Sequence, residues 1–161
     1  MPAFDGELAS LRLCLRRHPL GGQGGRRGVE IFLRVPTELD VVEEAVDLIA
    51  RHCLALGLSA RAARFNLRVA LSEALSNAII YGNRLDPSKY VDVRVLATDS
   101  QVTLHVSDQG DGFDPSSVPD PTLPERLELE DGRGLFLIRQ LVDEVRFNDR
   151  GNVICMVLRR A

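Results

Sequence analysis

Residues 90–108, YVDVRVLATDSQVTLHVSD, alternate apolar and polar side chains on both sides of the short polar segment TDS. Successive side chains of a strand point to opposite faces, so this pattern is typical of two half-buried strands. A short polar connection between two such strands predicts an antiparallel hairpin. We therefore expect an antiparallel sheet in the fold.

The chain before this hairpin predicts one strand and two helices. VEIFLRVP, residues 29–36, alternates as a strand does. Thr37 is a suitable N-cap for the helical pattern that follows, and Gly57 is a suitable stop for that helix. Ser59 is the expected cap of a second helix that runs to about Gly82.

Beyond the hairpin, residues 109–131 carry four prolines and many carboxylates, which predicts a long irregular loop. GLFLIRQLV then indicates a short amphipathic helix, and EVRFNDRGNVICMVLRR indicates a second hairpin. This order favours an α+β fold with helices on one face of a mainly antiparallel sheet. Residues 1–28 are rich in Gly and Arg and are expected to form a disordered extension, with a short helix or strand around residues 11–15 as the alternative. The domain then spans residues 29–161.

Composition excludes some classes of function. A net charge of -3 argues against direct contact with nucleic acid, because no excess of basic residues is present to neutralise phosphates. The three cysteines Cys14, Cys53 and Cys155 lack metal-ligand spacing, which indicates a reducing, cytoplasmic compartment. No apolar run approaches the roughly 20 residues of a membrane span, and the start of the chain does not resemble a signal peptide.

The segment LSEALSNAIIYGN places Glu73 and Asn77 one helical turn apart in surroundings that are otherwise small or apolar. A carboxylate and an amide oxygen at this spacing can reach one small volume, where a hard cation accepts such ligands and a carboxylate can take a proton. The simpler alternative is that Glu73 only pairs with Arg64 or Arg68.

Two glycine motifs follow. SDQGDGF places Asp108 at the end of a strand, with Gly110 and Gly112 close behind, and DGRGLFLI places glycines immediately before a helix. Glycines let the backbone approach a ligand closely, and a helix N-terminus offers N–H groups to phosphates. Taken singly, each motif is equally well explained as a tight turn or a flexible helix entry.

The order ExxxN, DxGxG, then GxG before a helix resembles the N, G1 and G2 boxes of the GHKL ATPases, over about residues 29–160. Within that group the short length, LSEALSNAIIYGN and GRGLFLIRQLVDEV resemble the anti-sigma-factor serine kinases of the RsbW and SpoIIAB kind. The resemblance implies the Bergerat fold, a two-layer sandwich with a mainly antiparallel, mixed sheet. It also implies ATP and Mg²⁺ as cofactors, and kinase activity toward a serine on a small STAS-like anti-anti-sigma partner. A sigma factor as a second partner is also consistent with this resemblance, and so is assembly as a homodimer.

The same resemblance implies a role for each matching residue. Glu73 would be the general base, Asn77 the magnesium ligand and Asp108 the reader of adenine, while residues 113–131 would form a lid. The remaining nucleotide-binding positions would be Gly110, Gly112, Gly132, Arg133 and Gly134.

The sequence departs from the family pattern in the lid. Glu128, Glu130 and Asp131 lie where relatives often carry a basic residue, so Arg133 or Arg126 would have to neutralise the transferred phosphoryl group. One alternative is therefore a nucleotide-dependent binding module with little catalysis. Another is a detached histidine-kinase ATPase domain, but the three histidines, His18, His52 and His105, lack the context of a phosphoacceptor.

Overall fold

The computed structural model describes residues 11–19, 27–112 and 133–160. Within these residues the chain forms six strands and three α-helices. They are β1 Arg12–Pro19, β2 Arg27–Pro36, α1 Val42–Ala55, α2 Leu67–Asn77, β3 Tyr90–Ala97, β4 Gln101–Ser107, α3 Arg133–Leu141, β5 Glu144–Phe147 and β6 Val153–Arg159. A 3₁₀ turn, Leu39–Val41, precedes α1, and π-helical segments Ala62–Asn66 and Ala78–Gly82 flank α2.

The strands form one sheet in the order β1-β2-β3-β4-β6-β5. All five pairings between described strands are antiparallel, so the sheet has no parallel pair in this part of the chain. The predicted β3–β4 hairpin is present, with Ala97 opposite Val102 and Thr98 N–H donating to Gln101 O at 2.9 Å. The α+β class is confirmed.

The described helices lie on one face of the sheet, and the core fills the space between the two layers. Alternate strand residues supply one side of that core and the apolar faces of the helices supply the other. Its largest fully buried members are Ile31, Leu33, Leu104 and Met156 from the sheet and Ile49, Leu67, Leu71, Leu75, Ile79 and Ile138 from the helical segments. Each such side chain contributes about 1.5–3 kcal/mol on burial, so this layer contact holds the fold together.

Two helix boundaries are confirmed. Gly57 has φ +95°, its N–H donates to Leu54 O at 3.0 Å, and Leu58 N–H donates to Cys53 O at 3.0 Å. This pair of bonds is the Schellman arrangement that ends a helix with a left-handed residue. At the next helix, Ala62 N–H donates to Ser59 Oγ at 3.2 Å, as an N-cap requires.

Thr37 does not cap a helix, and that prediction is wrong. Its hydroxyl donates to Lys89 O at 2.6 Å and accepts from Asn83 Nδ2 at 3.1 Å. Thr37 therefore joins the end of β2 to the start of β3. The helical turn at Leu39 begins after Glu38, which makes no side-chain cap bond.

Residues 12–19 are not a disordered extension, because they form β1 and pair with β2 along its length. An ion pair from Arg16 Nη2 to Glu30 Oε2, 3.1 Å long, joins the two strands. The other residues of the predicted extension, 1–10 and 20–26, lie outside the described residues. Among the described helices, none combines the length and the apolar character needed to cross a bilayer.

Candidate functional site

Glu73 and Asn77 lie on α2 where α3 begins. A Cβ atom added to Gly134 would lie 2.6 Å from Glu73 Oε2 and 3.2 Å from Asn77 Nδ2. At the other end of the contact, Asn66 Nδ2 donates to Leu141 O at 3.0 Å, so α3 runs antiparallel to α2. The glycine therefore lets the N-terminus of α3 approach the two polar side chains directly.

The simple pairing of Glu73 with a neighbouring arginine is not observed. Arg68 Nη1 instead contacts Asp47 Oδ1 at 3.0 Å, which joins α2 to α1. Glu73 and Asn77 are half-buried, and neither makes an ion pair or a side-chain hydrogen bond with any residue that the structure describes. Their oxygen atoms are thus available to a ligand at the start of α3.

Asp108 lies directly after β4, against the end of the second helix. A Cβ at Gly82 would be 2.4 Å from both Cγ and Oδ2 of Asp108, and a Cβ at Gly110 would be 2.1 Å from Gly82 O. Gly110 N–H donates to Asp108 Oδ1 at 2.8 Å. Two glycines are needed for this contact, and Gly82, which the sequence predicts as a helix end, is one of them.

The Asp108 carboxyl is half-buried, and burial raises its pKa above the ordinary value. The Gly110 N–H and the nearby charge of Lys89 act in the opposite direction without cancelling that rise. Perturbed pKa values are common at functional sites, so Asp108 is a candidate functional group.

Asn83, which the sequence motifs do not include, holds together the segments that surround Asp108. It is fully buried, and its Nδ2 donates to Thr37 Oγ1 at 3.1 Å and to Tyr90 O at 3.0 Å, while its Oδ1 accepts from Gln109 N–H at 2.7 Å. One side chain thereby connects the helix end, β2, β3 and the turn after Asp108. The only sequence signal is that Asn83 follows Gly82, which by itself predicts a helix stop.

Of the remaining predicted positions, Gly112 and Arg133 lie within the described residues. Gly112 has φ +84°, and a Cβ there would lie 1.7 Å from Arg150 O, so no side chain fits. Arg133 is exposed as the first residue of α3. Gly132 and the predicted lid, 113–131, lie outside the described residues.

The site also fits the donor chemistry of a magnesium ion. Asn77 offers an amide oxygen and Glu73 a carboxylate on one turn of α2, and Mg²⁺ is often held by one or two protein oxygens together with substrate phosphates. No cluster of three or more His, Cys, Asp or Glu suited to a metal occurs among the described residues. A metal held mainly by a nucleotide therefore agrees better with this site than a metal held entirely by protein.

The family of the chain follows from a comparison with known domains. The profile of the histidine kinase-like ATPase domain matches residues 35–158, which include α2, Asp108 and α3. The chain belongs to the histidine kinase-like ATPase domain family. A histidine kinase-like ATPase domain implies a site for ATP.

Relatives of this histidine kinase-like domain are named serine-protein kinase RsbW and anti-sigma F factor. The chain is 30% identical to the serine-protein kinase RsbW of Oceanobacillus iheyensis over 98 residues, which cover 57% of this chain and 62% of that protein. It is 35% identical to RsbW of Bacillus licheniformis over 101 residues, 56% of this chain and 61% of that protein. It is 36% identical to the anti-sigma F factor of Geobacillus stearothermophilus over 81 residues, 49% of this chain and 56% of that protein. The chain thus spans about 60% of the length of these curated relatives.

Proposed function

We propose that this chain is an ATP-dependent protein-serine kinase that regulates transcription by switching between protein partners in the cytoplasm. The observation that carries the proposal is the approach of Gly134 to Glu73 and Asn77, since it joins a carboxylate, an amide oxygen and a helix N-terminus. The names of the relatives, serine-protein kinase and anti-sigma factor, support the same class of activity. The phosphorylated partner would be a small STAS-like anti-anti-sigma protein, with a sigma factor as the other partner.

The nucleotide would lie between two contacts: that of Gly134 with Glu73 and that of Gly82 with Asp108. Asp108 would accept a hydrogen bond from the adenine amino group, and the glycines at 110 and 112 let the backbone approach the base. The N-terminus of α3 would face the phosphates, because its N–H groups and dipole favour negative charge. Arg133, the first residue of that helix, would add a cation beside them.

Asn77 would hold the magnesium ion through its amide oxygen, and that ion would neutralise charge on the phosphates. Glu73 would accept the proton of the partner's serine hydroxyl as the serine oxygen forms a bond to the γ-phosphorus. The bond from the γ-phosphorus to the bridging oxygen breaks, so ADP leaves with that electron pair. The products are phosphoserine, ADP and a proton on Glu73.

A binding module with little catalysis is the second candidate. The carboxylates at Glu128, Glu130 and Asp131 favour it, because they occupy a stretch where phosphoryl transfer benefits from a cation. Radiolabelled ATP separates the two candidates. Acid-stable label on a partner serine supports the kinase, whereas ATP-dependent capture of the partner without label supports the binding module, and acid-labile label indicates a histidine acceptor.

The roles of Glu73 and Asn77 are separable by mutation. We expect Glu73→Ala to reduce transfer by about 10²-fold or more while the Kd for ATP changes by less than about threefold, since a general base acts only in the transition state. Asn77→Ala should weaken ATP binding in the presence of magnesium. Single-turnover kinetics measure the rate of phosphoryl transfer, and isothermal titration calorimetry measures the Kd for ATP.

Arg64→Ala is the matched control, because Arg64 is exposed near the start of the same helical segment and lies outside the site. It should leave both quantities unchanged. If Glu73→Ala lowers ATP affinity as much as it lowers transfer, the assignment of Glu73 as general base is wrong.

A further inference from the structure

The turn that carries Asp108 is bonded on both sides to residues outside it. On one side, Asp108 N–H donates to Asn152 O at 3.0 Å, just before β6 begins. On the other side, Gln109 N–H donates to Asn83 Oδ1 at 2.7 Å, and Tyr90 N–H donates to Gln109 Oε1 at 2.8 Å. The turn is therefore joined to β6, to the end of the second helix and to the start of β3.

The donors and acceptors around Asn83 match a carboxamide group. Tyr90 O can only accept, and Thr37 Oγ1 also accepts here, because its hydrogen is donated to Lys89 O at 2.6 Å. Both require the Nδ2 hydrogens of Asn83, so its Oδ1 faces Gln109 N–H, a group that can only donate. Asn83 is fully buried, and a lost bond would leave a polar group unpaired away from water. The amide orientation is thus fixed, and with it the location of Gln109 N–H.

The Asp108 carboxylate moves only with this turn. Its Oδ1 accepts from Gly110 N–H at 2.8 Å, within the turn itself. A Cβ added to Gly82 would lie 2.4 Å from Asp108 Oδ2, and a Cβ added to Gly110 would lie 2.1 Å from Gly82 O. Because the turn packs this closely against the helix end, the position of its backbone sets the position of the carboxylate.

The position of a carboxylate decides which purine it can recognise. Adenine carries an amino group on C6, which donates to a carboxylate, whereas guanine carries a carbonyl oxygen there, which repels it. Guanine offers donors on N1 and on its C2 amino group instead, so a carboxylate displaced along the edge of the base could accept from guanine. A fixed Asp108 opposite C6 would therefore favour adenine, and a mobile one would lose that preference.

We propose that Asn83 is a positioning residue for nucleotide recognition. By bonding Gln109 N–H and Tyr90 O, it keeps Asp108 opposite C6 of the base and so sets the preference for ATP over GTP. The side chain of Gln109 assists, because it joins the turn to β3 through a second bond. This inference rests on the proposed contact of Asp108 with adenine, and it adds the residues that make that contact selective.

The test compares the Kd for ATP with the Kd for GTP, measured on the full chain with magnesium. Each nucleotide displaces an ATP analogue that carries a fluorescent label on its ribose. The readout is the Kd for GTP divided by the Kd for ATP, because partial unfolding lowers the active fraction for both nucleotides alike. The wild-type protein should bind ATP about 10²-fold or more tightly than GTP.

Two pairs of variants separate the turn from the rest of the protein. Asn83→Ala removes the bond to Gln109 N–H, and Thr37→Val, also at a buried position, removes neighbouring bonds without touching that N–H. Gln109→Ala removes the exposed bond to β3, and Ser59→Ala removes a comparable exposed bond at the other end of the second helix. Thr37→Val and Ser59→Ala are the matched controls.

We expect Asn83→Ala to lower the ratio of Kd values at least about tenfold and Gln109→Ala at least about fivefold, while the controls change it less than about twofold. Gln109→Glu keeps an acceptor oxygen for Tyr90 N–H and should keep the wild-type ratio. If Asn83→Ala does not fold, the contrast between Gln109→Ala and Gln109→Glu decides. Unchanged ratios in both alanine variants of the turn, an equal loss in Thr37→Val, or equal behaviour of Gln109→Ala and Gln109→Glu overturn the proposal.

Failure of this inference can be distinguished from failure of the proposed function. A wild-type protein that binds GTP as tightly as ATP would contradict the role of Asp108 in recognising adenine, and the role of Asn83 with it. A wild-type preference for ATP that persists in Asn83→Ala and Gln109→Ala would leave the role of Asp108 intact and overturn only that of Asn83.

Discussion

The Asp108 carboxylate is partly buried, which disfavours its charged form, yet two glycines hold it in place. Burial raises the pKa of its carboxyl, yet Gly82 leaves room for it and the Gly110 N–H holds one of its oxygens. A group whose charged form is disfavoured by its surroundings lowers stability wherever it is ionised. Retaining such a group is understandable if its charge is needed for a ligand, as the proposed contact with adenine requires.

We expect Asp108→Asn to raise the melting temperature at pH 7 while weakening ATP binding about tenfold or more. The asparagine oxygen can still accept from Gly110 N–H, so the turn is kept. The pKa of Asp108 is higher in the folded state than in the unfolded state. Ionised Asp108 therefore does not destabilise the wild-type protein below the pKa of the unfolded state, about 3.9. The loss of stability appears as the pH rises through the pKa of the folded state.

Thermal melts from pH 3 to pH 8 check this prediction. The two proteins should melt together near pH 3 and separate above it, with the variant more stable. A variant that is less stable at pH 7 would contradict the burial argument. Unchanged ATP affinity would contradict the role in recognising adenine.

At the scale of elements, the site depends on how closely α3 approaches α2. Gly134 faces Glu73 and Asn77 at one end of the contact, and Asn66 bonds Leu141 at the other. The helix pair thus has a polar bond that sets its alignment and a glycine that sets its separation. The orientation of the Glu73 carboxylate follows from that separation.

We expect Gly134→Ala to reduce phosphoryl transfer by about 10–100-fold without loss of stability. The new Cβ would displace the Glu73 carboxylate, and a misplacement of about 1 Å can cost about 10²-fold in rate. Alanine is about 1 kcal/mol better than glycine within a helix, so melting should be unchanged or higher. Gln140→Ala, at an exposed position of α3, is the control. Full transfer by Gly134→Ala would show that the close contact does not matter.

Features set by neighbouring residues were predictable from sequence, whereas features set by distant ones were not. The β3–β4 alternation, the Ser59 cap and the Gly57 stop depend on a few adjacent residues, and all three are confirmed. Thr37 looks like a cap locally, but its hydroxyl contacts Lys89 and Asn83, which lie about 50 positions away along the chain. The motif order predicted the family, which is confirmed. It did not predict the contacts of Asn83, because each of its bonds goes to a segment far along the chain or beyond a turn.

At the scale of the whole molecule, β1 extends the sheet beyond the region that defines the family. The family profile begins at residue 35, so β1 and most of β2 precede it. The glycines and arginines of this region indicated disorder, but Arg16 and Arg94 both pair with Glu30 and so connect β1, β2 and β3. Because the buried Glu30 carboxylate pairs with arginines of both neighbouring strands, we expect β1, β2 and β3 to unfold together.

Comparing Glu30→Gln with Glu144→Gln tests this connection. Each carboxylate pairs with two arginines on the same face, but Glu30 is fully buried and Glu144 is 28% exposed. We expect Glu30→Gln to lower the free energy of unfolding by about 2–4 kcal/mol. Glu144→Gln should cost under about 1 kcal/mol. Urea denaturation measures both, and equal losses would mean that the burial of Glu30 is not what stabilises β1.

The π-helical turn at Ala78–Gly82 has a consequence for how this chain tolerates change in length. Asn83 N–H donates to Ala78 O at 2.7 Å, five positions back, so this turn holds one residue more than an α-helical turn. Deleting one residue between Asn77 and Gly82 would restore ordinary winding, yet it would turn Gly82 away from Asp108 and remove Asn83 from Thr37. The number of residues in this turn is therefore fixed by two contacts at once, so the turn can change its side chains more readily than its length.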